Sequence, residues 1–384
     1  MVESEDRHFK RELAPNPSDF LRELKEPESR TPMYGIGIGS SDTRKYHNVL
    51  FLEPCSEGYQ VHMSVVDPIS PKEIQYFGVI EGSVKAITIT TNLDREVETT
   101  GFSVGFTDCV SMGLFTEEQI GTAVLDPSHE LHALFTDFYK IAKALQEERI
   151  ANGALDPYMS LSRDVLSKRK SDNKKFEIGR TIRDEFLHLC KSSIAKKFSE
   201  TGVNALYENS DKADGAIDKD VLHKRMLEFV KNPTFDEASY LRYMLGSIAP
   251  WSRTEVANTG NYFYGKDAHL KYTQPHTHLS SYINLVILHS LCLGEDLPYS
   301  KEELEAAADL VNQGKTKMKK PLASFQKSHK TDTEKPSEIV QAPHASRFDI
   351  PRKKGIKRRG GASYDSGRVI YLLDEIAREK QRRS

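Results

Sequence analysis

The chain has 384 residues and a formal net charge of -2, because 54 Lys and Arg nearly balance 56 Asp and Glu. Hydrophobic residues make up 38% and charged residues 29% of the chain, which excludes collagen-like, coiled-coil and disulfide-scaffold proteins. No apolar run reaches the roughly 18 residues of a membrane span, and the acidic N-terminus lacks the features of a secretory signal or transit peptide. We therefore expect an intracellular, cytoplasmic protein without a membrane partner. A nuclear or organellar location stays open.

The first part of the chain predicts an arm followed by strands. Residues 1–30 are mostly charged or polar and offer little to bury, so we expect an extended arm there. From Thr31 onward, short β-branched and aromatic runs alternate with clusters of Pro, Gly, Asn and Asp, which is typical of strands and turns. These runs are VLFLEP, YQVHMSVV and VKAITITT.

The second part of residues 31–314 carries helical periodicity. Asp126 with the proline after it is typical of a helix start, and apolar residues then recur at spacings of three and four. Thr181 with Asp184 resembles a capping box, and Gly202 supplies a helix stop. Strands followed by helices predict one α+β domain over residues 31–314, with an antiparallel sheet packed by the helices.

Residues 315–384 form a basic tail. They hold 19 Lys and Arg against 8 Asp and Glu, a net charge of +11, and the first 314 residues hold 35 against 48, a net charge of -13. The segment 315–345 is rich in Pro, Ser and Lys, which indicates a disordered linker. Apolar residues at helical spacing predict a short helix over 367–383. The near-neutral total is therefore the sum of an acidic body and a basic tail.

Two patterns that often carry chemistry are weak in this sequence. Gly35, Gly37 and Gly39 alternate, but the final Gly of a dinucleotide fingerprint and the Gly-Lys-Ser/Thr of a phosphate loop are missing. We interpret this run as a strand whose glycines share one face, where another backbone or a ligand comes close. The four cysteines contain no Cys-x-x-Cys pair, which favours reduced structural side chains over zinc or disulfides.

Five segments follow one another along the chain and share one resemblance. The first two are Gly37–Ser70 and LFTEEQIGTAV. The third ends in ERIANGALD, with the pattern Arg-x-x-x-Gly-Ala-Leu-Asp from Arg149 to Asp156, and the last two are EFLHLCKSSIAKKFSETGVNALY and Tyr272–Leu291. Together they resemble the catalytic (RNB) domain of the ribonuclease II/R family. Gly37–Ser70 is similar to the family's opening, where a strand ends in an aspartate and a loop supplies three more, and Tyr272–Leu291 resembles its Tyr-Thr-x-x-Thr-Ser-Pro-Ile-Arg-Arg-Tyr signature. The resemblance implies an RNB-like domain.

The resemblance also implies a chemistry, the removal of nucleotides from the 3′ end of RNA. That hydrolysis needs divalent metal such as Mg²⁺ held by a cluster of aspartates, and arginines that steady the phosphate charge. None of the family's four aspartates and two arginines is retained. The aspartate positions fall on Gly39, Lys45, His47 and Asn48, and the arginine positions fall on Ser280 and Ser281. We therefore expect no catalytic residues, no metal and no other cofactor.

The replacement at Lys45 opposes metal binding directly. At about 4 Å from a divalent ion, a lysine ammonium would be repelled by at most about 8 kcal/mol at an effective dielectric constant near 20. Gly39 and Asn48 remove two anionic ligands in addition. Asp42 is the only carboxylate left in the loop, and one carboxylate does not hold a pair of catalytic Mg²⁺ ions.

Basic and aromatic side chains are candidates for RNA binding. Lys45 and His47 could contact an RNA phosphate directly, the alternative being a solvated loop. Tyr46 and Tyr272 are candidates for stacking on bases, although most aromatic rings in such a fold belong to the core. The tail could supply salt-sensitive RNA affinity, the alternatives being a localisation signal or a solvated segment. Its basic candidates are Arg352, Lys353, Lys354, Lys357, Arg358 and Arg359.

Three functions follow from these patterns. The leading hypothesis is a catalytically inactive pseudonuclease that binds RNA, mainly through its tail, or an RNA-processing protein partner. The second is a divergent 3′-to-5′ exoribonuclease for single-stranded RNA, with a relocated metal site made of Asp42, His47, His276 and His278. The third is a scaffold protein without RNA, whose acidic body binds a basic partner. The sequence gives no indication of the oligomeric state.

Overall fold

The computed structural model describes residues 17–39, 48–68, 82–157, 173–210, 252–275 and 278–317. Several sequence predictions fall outside these residues and stay predictions. They concern Asp42, Lys45, Tyr46, His47, His276, the six basic residues of the tail and the helix over 367–383. Among the described helices, none is both long enough and apolar enough to cross a membrane.

Five strands form a closed barrel in chain order. They are β1 (Thr31–Gly39), β2 (Asn48–Cys55), β3 (Gly58–Val66), β4 (Ser83–Asp94) and β5 (Thr99–Thr116). Each strand pairs with the next in antiparallel orientation, which confirms the predicted sheet. The barrel closes because β1 also pairs with β5, in parallel, from Thr31 opposite Thr107 to Gly39 opposite Thr116. The sequence did not predict this closure.

A second, smaller cluster of buried residues lies apart from the main core. Its residues alternate along the strands with those of the main core, so the cluster faces the inside of the barrel. Its members are Val49, Val66, Val84, Ala86 and Cys109. A Cβ at Gly35 would lie 2.7 Å from Cγ2 of Val49, closer than real Cβ atoms come. Another strand does approach this glycine closely, as the sequence indicated.

Helices follow the barrel, which confirms the predicted α+β order. In the residues that the structure describes, they are α1 (Glu117–Leu125), α2 (His132–Ala151), α3 (Asn173–Thr201), α4 (Leu279–Leu293) and α5 (Lys301–Lys317). Between α3 and α4 in the chain, β6 (Tyr207–Asn209) and β7 (Arg253–Glu255) form a two-stranded antiparallel sheet. The described part of the C-terminal half therefore supplies the helices that pack on the barrel.

Aromatic rings join the barrel to the helices. Phe115 of β5 packs edge to face on Phe135 of α2, with ring centres 5.1 Å apart. Phe138 of α2 packs edge to face on Phe186 of α3, with ring centres 5.5 Å apart. All four side chains are buried, and burying a side chain of this kind contributes about 1.5–3 kcal/mol. These contacts fix α2 and α3 against the outer face of the barrel.

The predicted start of α2 is wrong. Asp126 ends α1 instead, since its backbone N–H donates to the carbonyl oxygen of Thr122. Its carboxylate accepts a hydrogen bond from the N–H of Ser128, in the turn between the two helices. The helix α2 begins at His132, without a capping side chain. Asp126 therefore lies at the end of α1 and does not start α2.

The predicted capping box at Thr181 is also wrong. The helix α3 begins at Asn173, so Thr181 and Asp184 lie in its interior. A capping box does occur at the start of α1, where Thr116 and Gln119 bond each other's backbone N–H groups. Both places offer a threonine followed three residues later by a side chain that can accept hydrogen bonds, and only the surrounding chain decides which pair caps a helix.

The described part of the N-terminal arm is integrated into the domain. Phe20 is buried in the main core, and its carbonyl oxygen accepts a hydrogen bond from the hydroxyl of Tyr299. Arg22 donates its backbone N–H to the hydroxyl of Tyr282 in α4 and pairs with Glu303 of α5 at 2.6 Å. Residues 21–30 form neither helix nor strand, so side-chain contacts from α4 and α5 hold this segment in place.

A buried ionic chain holds the end of the arm. Arg30 donates to the Asp67 carboxylate at 2.6 Å. On the other side of that carboxylate, Nδ1 of His289 lies 2.9 Å from Oδ1 of Asp67, and Nε2 lies 2.9 Å from the Lys25 carbonyl oxygen. Both ring nitrogens face acceptors, so both contacts are hydrogen bonds only when each nitrogen carries a proton. The arm is thus tied to α4 through a fully buried histidine.

Candidate functional site

Two of the six altered positions lie at strand ends, on either side of residues 40–47, which the structure does not describe. Gly39 is the last residue of β1 and pairs with Thr116, the last residue of β5. Asn48 is the first residue of β2 and pairs with Val65. Neither residue carries a carboxylate. At these two described positions the barrel therefore offers no anionic ligand to a metal ion.

The described residues contain no group of three or more His, Cys, Asp or Glu side chains placed to hold a metal ion. Of the four residues in the relocated metal site, only His278 is described, and it is exposed just before α4. The hypothesis of a relocated site therefore depends on residues outside the described part of the chain.

An ion-pair cluster follows directly on the end of β5. Glu117, the first residue of α1, is buried and pairs with Arg183 of α3. Arg183 also contacts the Asp184 carboxylate at 2.7 Å. Burial opposes the charge on Arg183, but Asp184 and Glu117 outweigh it and raise the pKa of the guanidinium. This cation is therefore engaged with carboxylates of its own chain.

The two altered arginine positions lie at the N-terminus of α4. Ser280 is 5% exposed and Ser281 is 1% exposed, in the first turn of the helix. His278 is the N-cap residue, and its side chain makes no capping hydrogen bond. At these positions the structure has neutral hydroxyl groups and a helix end where the family resemblance places guanidinium groups.

Tyr272 is a core residue. Its side chain is fully buried, and its hydroxyl donates to Sδ of Met63 on β3 at 3.3 Å. Burial raises the pKa of its hydroxyl well above the ordinary value. The ring has no exposed face, which corrects the interpretation of Tyr272 as a base-stacking residue.

Arg149 forms the centre of a buried ionic network. Its Nε and Nη2 atoms donate to the Glu185 carboxylate, each at 2.7 Å. Its Nη1 and Nη2 atoms donate to the Asp156 carboxylate at 2.7 and 3.0 Å, and Nη1 also donates to the Tyr264 carbonyl oxygen at 2.8 Å. Burial opposes the charge, yet Glu185 and Asp156 outweigh it and raise the pKa of Arg149. The retained Arg-x-x-x-Gly-Ala-Leu-Asp pattern thus ties α2 to α3.

A chain of two histidines continues from this network. Nε2 of His188 lies 3.5 Å from Oδ2 of Asp156, and its Nδ1 lies 3.3 Å from Nε2 of His269. Nδ1 of His269 lies 3.2 Å from Oε2 of Glu208, whose other oxygen contacts Nζ of Lys271 at 2.9 Å. Nδ1 of His269 and Oε2 of Glu208 are buried without a well-formed hydrogen bond.

The buried histidine His269 predicts that the stability of the fold depends on pH. Burial lowers the pKa of His269 from 6.5 to about 3, although Glu208 opposes the shift. Below about pH 6.5, the unfolded chain therefore binds more protons than the folded state does. The contribution of His269 to the free energy of unfolding has its full value above that pH and decreases as the pH falls. We expect the unfolding equilibrium constant to rise up to about tenfold per pH unit between about pH 6.5 and 4.5. Burial opposes the charge on Asp156, but His188 and Arg149 outweigh it and lower the pKa of Asp156 to about 2, so this carboxyl group affects stability only at lower pH.

The measurement is urea unfolding at a series of pH values. His269→Gln should flatten the dependence between pH 6.5 and 4.5, because the glutamine does not titrate. His278→Gln is the matched control, since His278 is exposed. A slope for His269→Gln equal to that of the unmodified protein would contradict the assignment to this residue.

Sequence reasoning did not single out four members of this network. They are Glu185, His188, Glu208 and His269. Glu185 and His188 are three residues apart on one helix, so they share a face, and this spacing was the one local signal available. Glu208 and His269 meet only through the tertiary fold.

The comparisons with known proteins rest on structure. No protein-family model matches the sequence, and no curated protein matches it. The apo form of Mycoplasma genitalium ribonuclease R is similar with a TM-score of 0.57 and 11% identity, over 76% of this chain and 56% of that one. Yeast Ssd1, described as a pseudonuclease, is similar with a TM-score of 0.57 and 14% identity, over 76% of this chain and 44% of that one.

A third similar structure is an active-site mutant of the Dss1 exoribonuclease from Candida glabrata. Its TM-score is 0.55 and its identity 13%, over 74% of this chain and 47% of that one. The chain thus spans about half the length of these structures. At such identities the likeness concerns the fold. The domain has an RNB-like fold, as the sequence resemblance predicted.

Proposed function

We propose that this protein is a pseudonuclease that binds RNA without hydrolysing it. One observation carries the proposal: within an RNB-like fold, the four described positions of the expected site hold no charged side chain. These positions are Gly39, Asn48, Ser280 and Ser281. Metal-assisted hydrolysis needs carboxylates that fix the ion beside the scissile phosphate. In this proposal, a domain without these carboxylates keeps a shape that can bind RNA but cannot hydrolyse it.

Proteins with similar folds support both halves of the proposal. Yeast Ssd1 is described as a pseudonuclease, so the fold exists without nuclease activity. Ribonuclease R of Mycoplasma genitalium has been solved with double-stranded RNA and with ribose-methylated single-stranded RNA, so the fold also accommodates RNA. By analogy, we assign RNA binding to this chain as its leading function.

In this proposal the contacts to RNA are electrostatic. Lys45 and His47 take the place of metal ligands and approach a phosphate directly. The basic tail adds affinity that depends on salt rather than on sequence. A protein partner in RNA processing is compatible with the same surfaces.

The test is retention of single-stranded RNA by the full chain and by residues 1–317, which keep all of α5. Each protein is titrated over a salt series, with product length followed in the same samples with and without Mg²⁺ or Mn²⁺. We expect salt-dependent retention by the full chain and no shortening of the RNA. Without the tail, the slope of log affinity against log salt should fall by about 0.7 for each phosphate that the tail neutralises in the full chain.

Other outcomes point to the other functions. Metal-dependent shortening of the RNA that His47→Ala or His278→Ala abolishes would establish the exoribonuclease. No retention of RNA by the full chain at low salt would favour a scaffold whose acidic body binds a basic partner. An unchanged salt slope after truncation would remove the tail from the RNA-binding surface.

A further inference from the structure

Exposed leucines are concentrated in one part of the described surface. Among the described residues, four large apolar side chains are exposed. Leu125, 41% exposed, lies at the end of α1. The other three belong to the arm, to the last turn of α4 and to the turn between α4 and α5, and they are Leu21 (47% exposed), Leu291 (37%) and Leu297 (40%).

Leu21 and Leu297 lie on neighbouring segments. The carbonyl oxygen of the residue before Leu21 accepts a hydrogen bond from the hydroxyl of Tyr299 at 2.7 Å. Directly after Leu21, Nε of Arg22 donates to the carbonyl oxygen of Pro298 at 3.2 Å. Because Pro298 and Tyr299 follow Leu297 in the chain, these two hydrogen bonds hold the segments of both leucines together.

Leu291 joins them through the turn after α4. The backbone N–H of Glu295 donates to the carbonyl oxygen of Ser290, so the chain reverses directly after the helix. In the arm, Nζ of Lys25 lies 3.8 Å from Oε1 of Glu295. Contacts between the arm and this turn thus bring all three leucines to one side of the domain. We call residues 19–25 and 291–309 the arm–helix surface.

The arm–helix surface is acidic. It holds eight carboxylates against three cations, a net charge of -5, and all eight carboxylate residues are exposed. Each cation is already paired within the surface, Arg22 with Glu303, Lys25 with Glu295 and Lys301 with Glu305. Exposed apolar side chains surrounded by an excess of one charge suit a partner with an apolar face and the opposite charge.

The tail of the same chain has these two properties. Residues 351–383 hold 11 Lys and Arg against 4 Asp and Glu, a net charge of +7. Over 367–383, where the sequence predicts a helix, Val369, Leu372, Leu373 and Ile376 recur at helical spacing. A single short helix is marginal in water and is stabilised mainly by packing of its apolar face. The segment therefore needs an apolar surface to pack on.

The tail is long enough to reach the arm–helix surface. The helix α5 has 17 residues, is about 25 Å long, and begins four residues after Leu297. The tail continues from its other end, at Lys317, and 49 residues separate Lys317 from Gly367. A flexible chain of that length spans roughly 35–42 Å on average. This span exceeds the length of α5, so the segment 367–383 can return to the leucines at the start of the helix.

We propose that the segment 367–383 docks on the arm–helix surface of its own chain. Its apolar residues pack on the three exposed leucines, and its basic residues lie beside the carboxylates of α5. This docking goes beyond the proposed function, because it takes place without RNA. An RNA that binds the tail competes with it for the basic residues.

The test is hydrogen exchange of the full chain without RNA, read by mass spectrometry on peptides from 367–383. We expect protected amides in this segment of the unmodified protein. Leu297→Ser should lower the protection about tenfold, because it removes an apolar contact from the docked state. Leu125→Ser is the matched control, since the two leucines are exposed to the same extent, and it should leave the protection unchanged. Equal protection in the two variants would overturn the docking.

Charge reversal tests the electrostatic part separately. Glu305→Lys combined with Asp309→Lys should also lower the protection of 367–383, because both residues are exposed on α5. The control combines Glu96→Lys with Glu98→Lys, which has the same net charge but lies in the turn between β4 and β5. An equal loss of protection in both double variants would contradict a specific acidic surface.

Two results for the unmodified protein would also refute the proposal. One is exchange over 367–383 as fast as in an unstructured peptide. The other is protection that increases with protein concentration, which would assign the arm–helix surface to the tail of a second copy of the chain.

Discussion

Replacing Arg149 by Met should lower the free energy of unfolding by about 3–5 kcal/mol, the cost of removing one partner from a buried ion pair. The Arg149 side chain is 1% exposed and donates to two carboxylates at once. Its removal leaves Glu185, also 1% exposed, without its bidentate partner in a region of low polarity. Urea unfolding at pH 7 measures the change.

Arg183→Met is the matched control for this prediction. Arg183 also contacts two carboxylates, but its side chain and that of Asp184 are each 30% exposed, so water can solvate Asp184 after the change, although Glu117 stays buried. We expect a smaller loss for this variant than for Arg149→Met. A change of less than about 1 kcal/mol for Arg149→Met would show that the buried network contributes little to stability.

Gly179→Ala should destabilise the protein by about 1–3 kcal/mol, as overpacking of a well-packed interior does. A Cβ at Gly179 in α3 would lie 2.1 Å from the carbonyl oxygen of Glu117 in α1. At the same crossing, a Cβ at Gly121 would lie 1.9 Å from the carbonyl oxygen of Lys175. Both obstacles are backbone atoms, so the two helices would have to separate.

The sign of this effect is diagnostic. In the interior of a helix, alanine is normally more favourable than glycine by about 0.5–1 kcal/mol. A stabilised Gly179→Ala variant would therefore show that α1 and α3 do not approach as closely as described. Gly105→Ala is the control, because a Cβ at Gly105 on β5 meets no atom within 4 Å. Thermal unfolding of the three proteins gives the comparison.

The sequence predicted the order of the elements better than their boundaries. Alternating and helical periodicities follow from burial on one face, so the strands, the helical half and the stop at Gly202, where φ is 70°, could all be inferred. The predictions of a helix start at Asp126 and of a capping box at Thr181 were wrong. Residues that accept hydrogen bonds from backbone N–H groups occur at helix starts, at helix ends and in helix interiors alike. The parallel pairing of β1 with β5 joins residues far apart in the chain, and no local pattern encodes it.

The candidate site, too, could be predicted from the sequence only in part. The family resemblance located Gly39, Asn48, Ser280 and Ser281, because it aligns motifs along the chain. It did not reveal that Tyr272 is buried, since depth below the surface depends on what packs above a residue.

The arm has a consequence for the order in which the protein matures during synthesis. The strand pairing of Thr31 with Thr107 can form as soon as β5 has been made. The contacts of Arg22 with Tyr282 and of Lys25 with His289 span 260 and 264 residues, so they must wait until α4 has left the ribosome. The earliest described segment to be synthesised is therefore among the last to be fixed, and a chain that stops before α4 leaves it without these two partners.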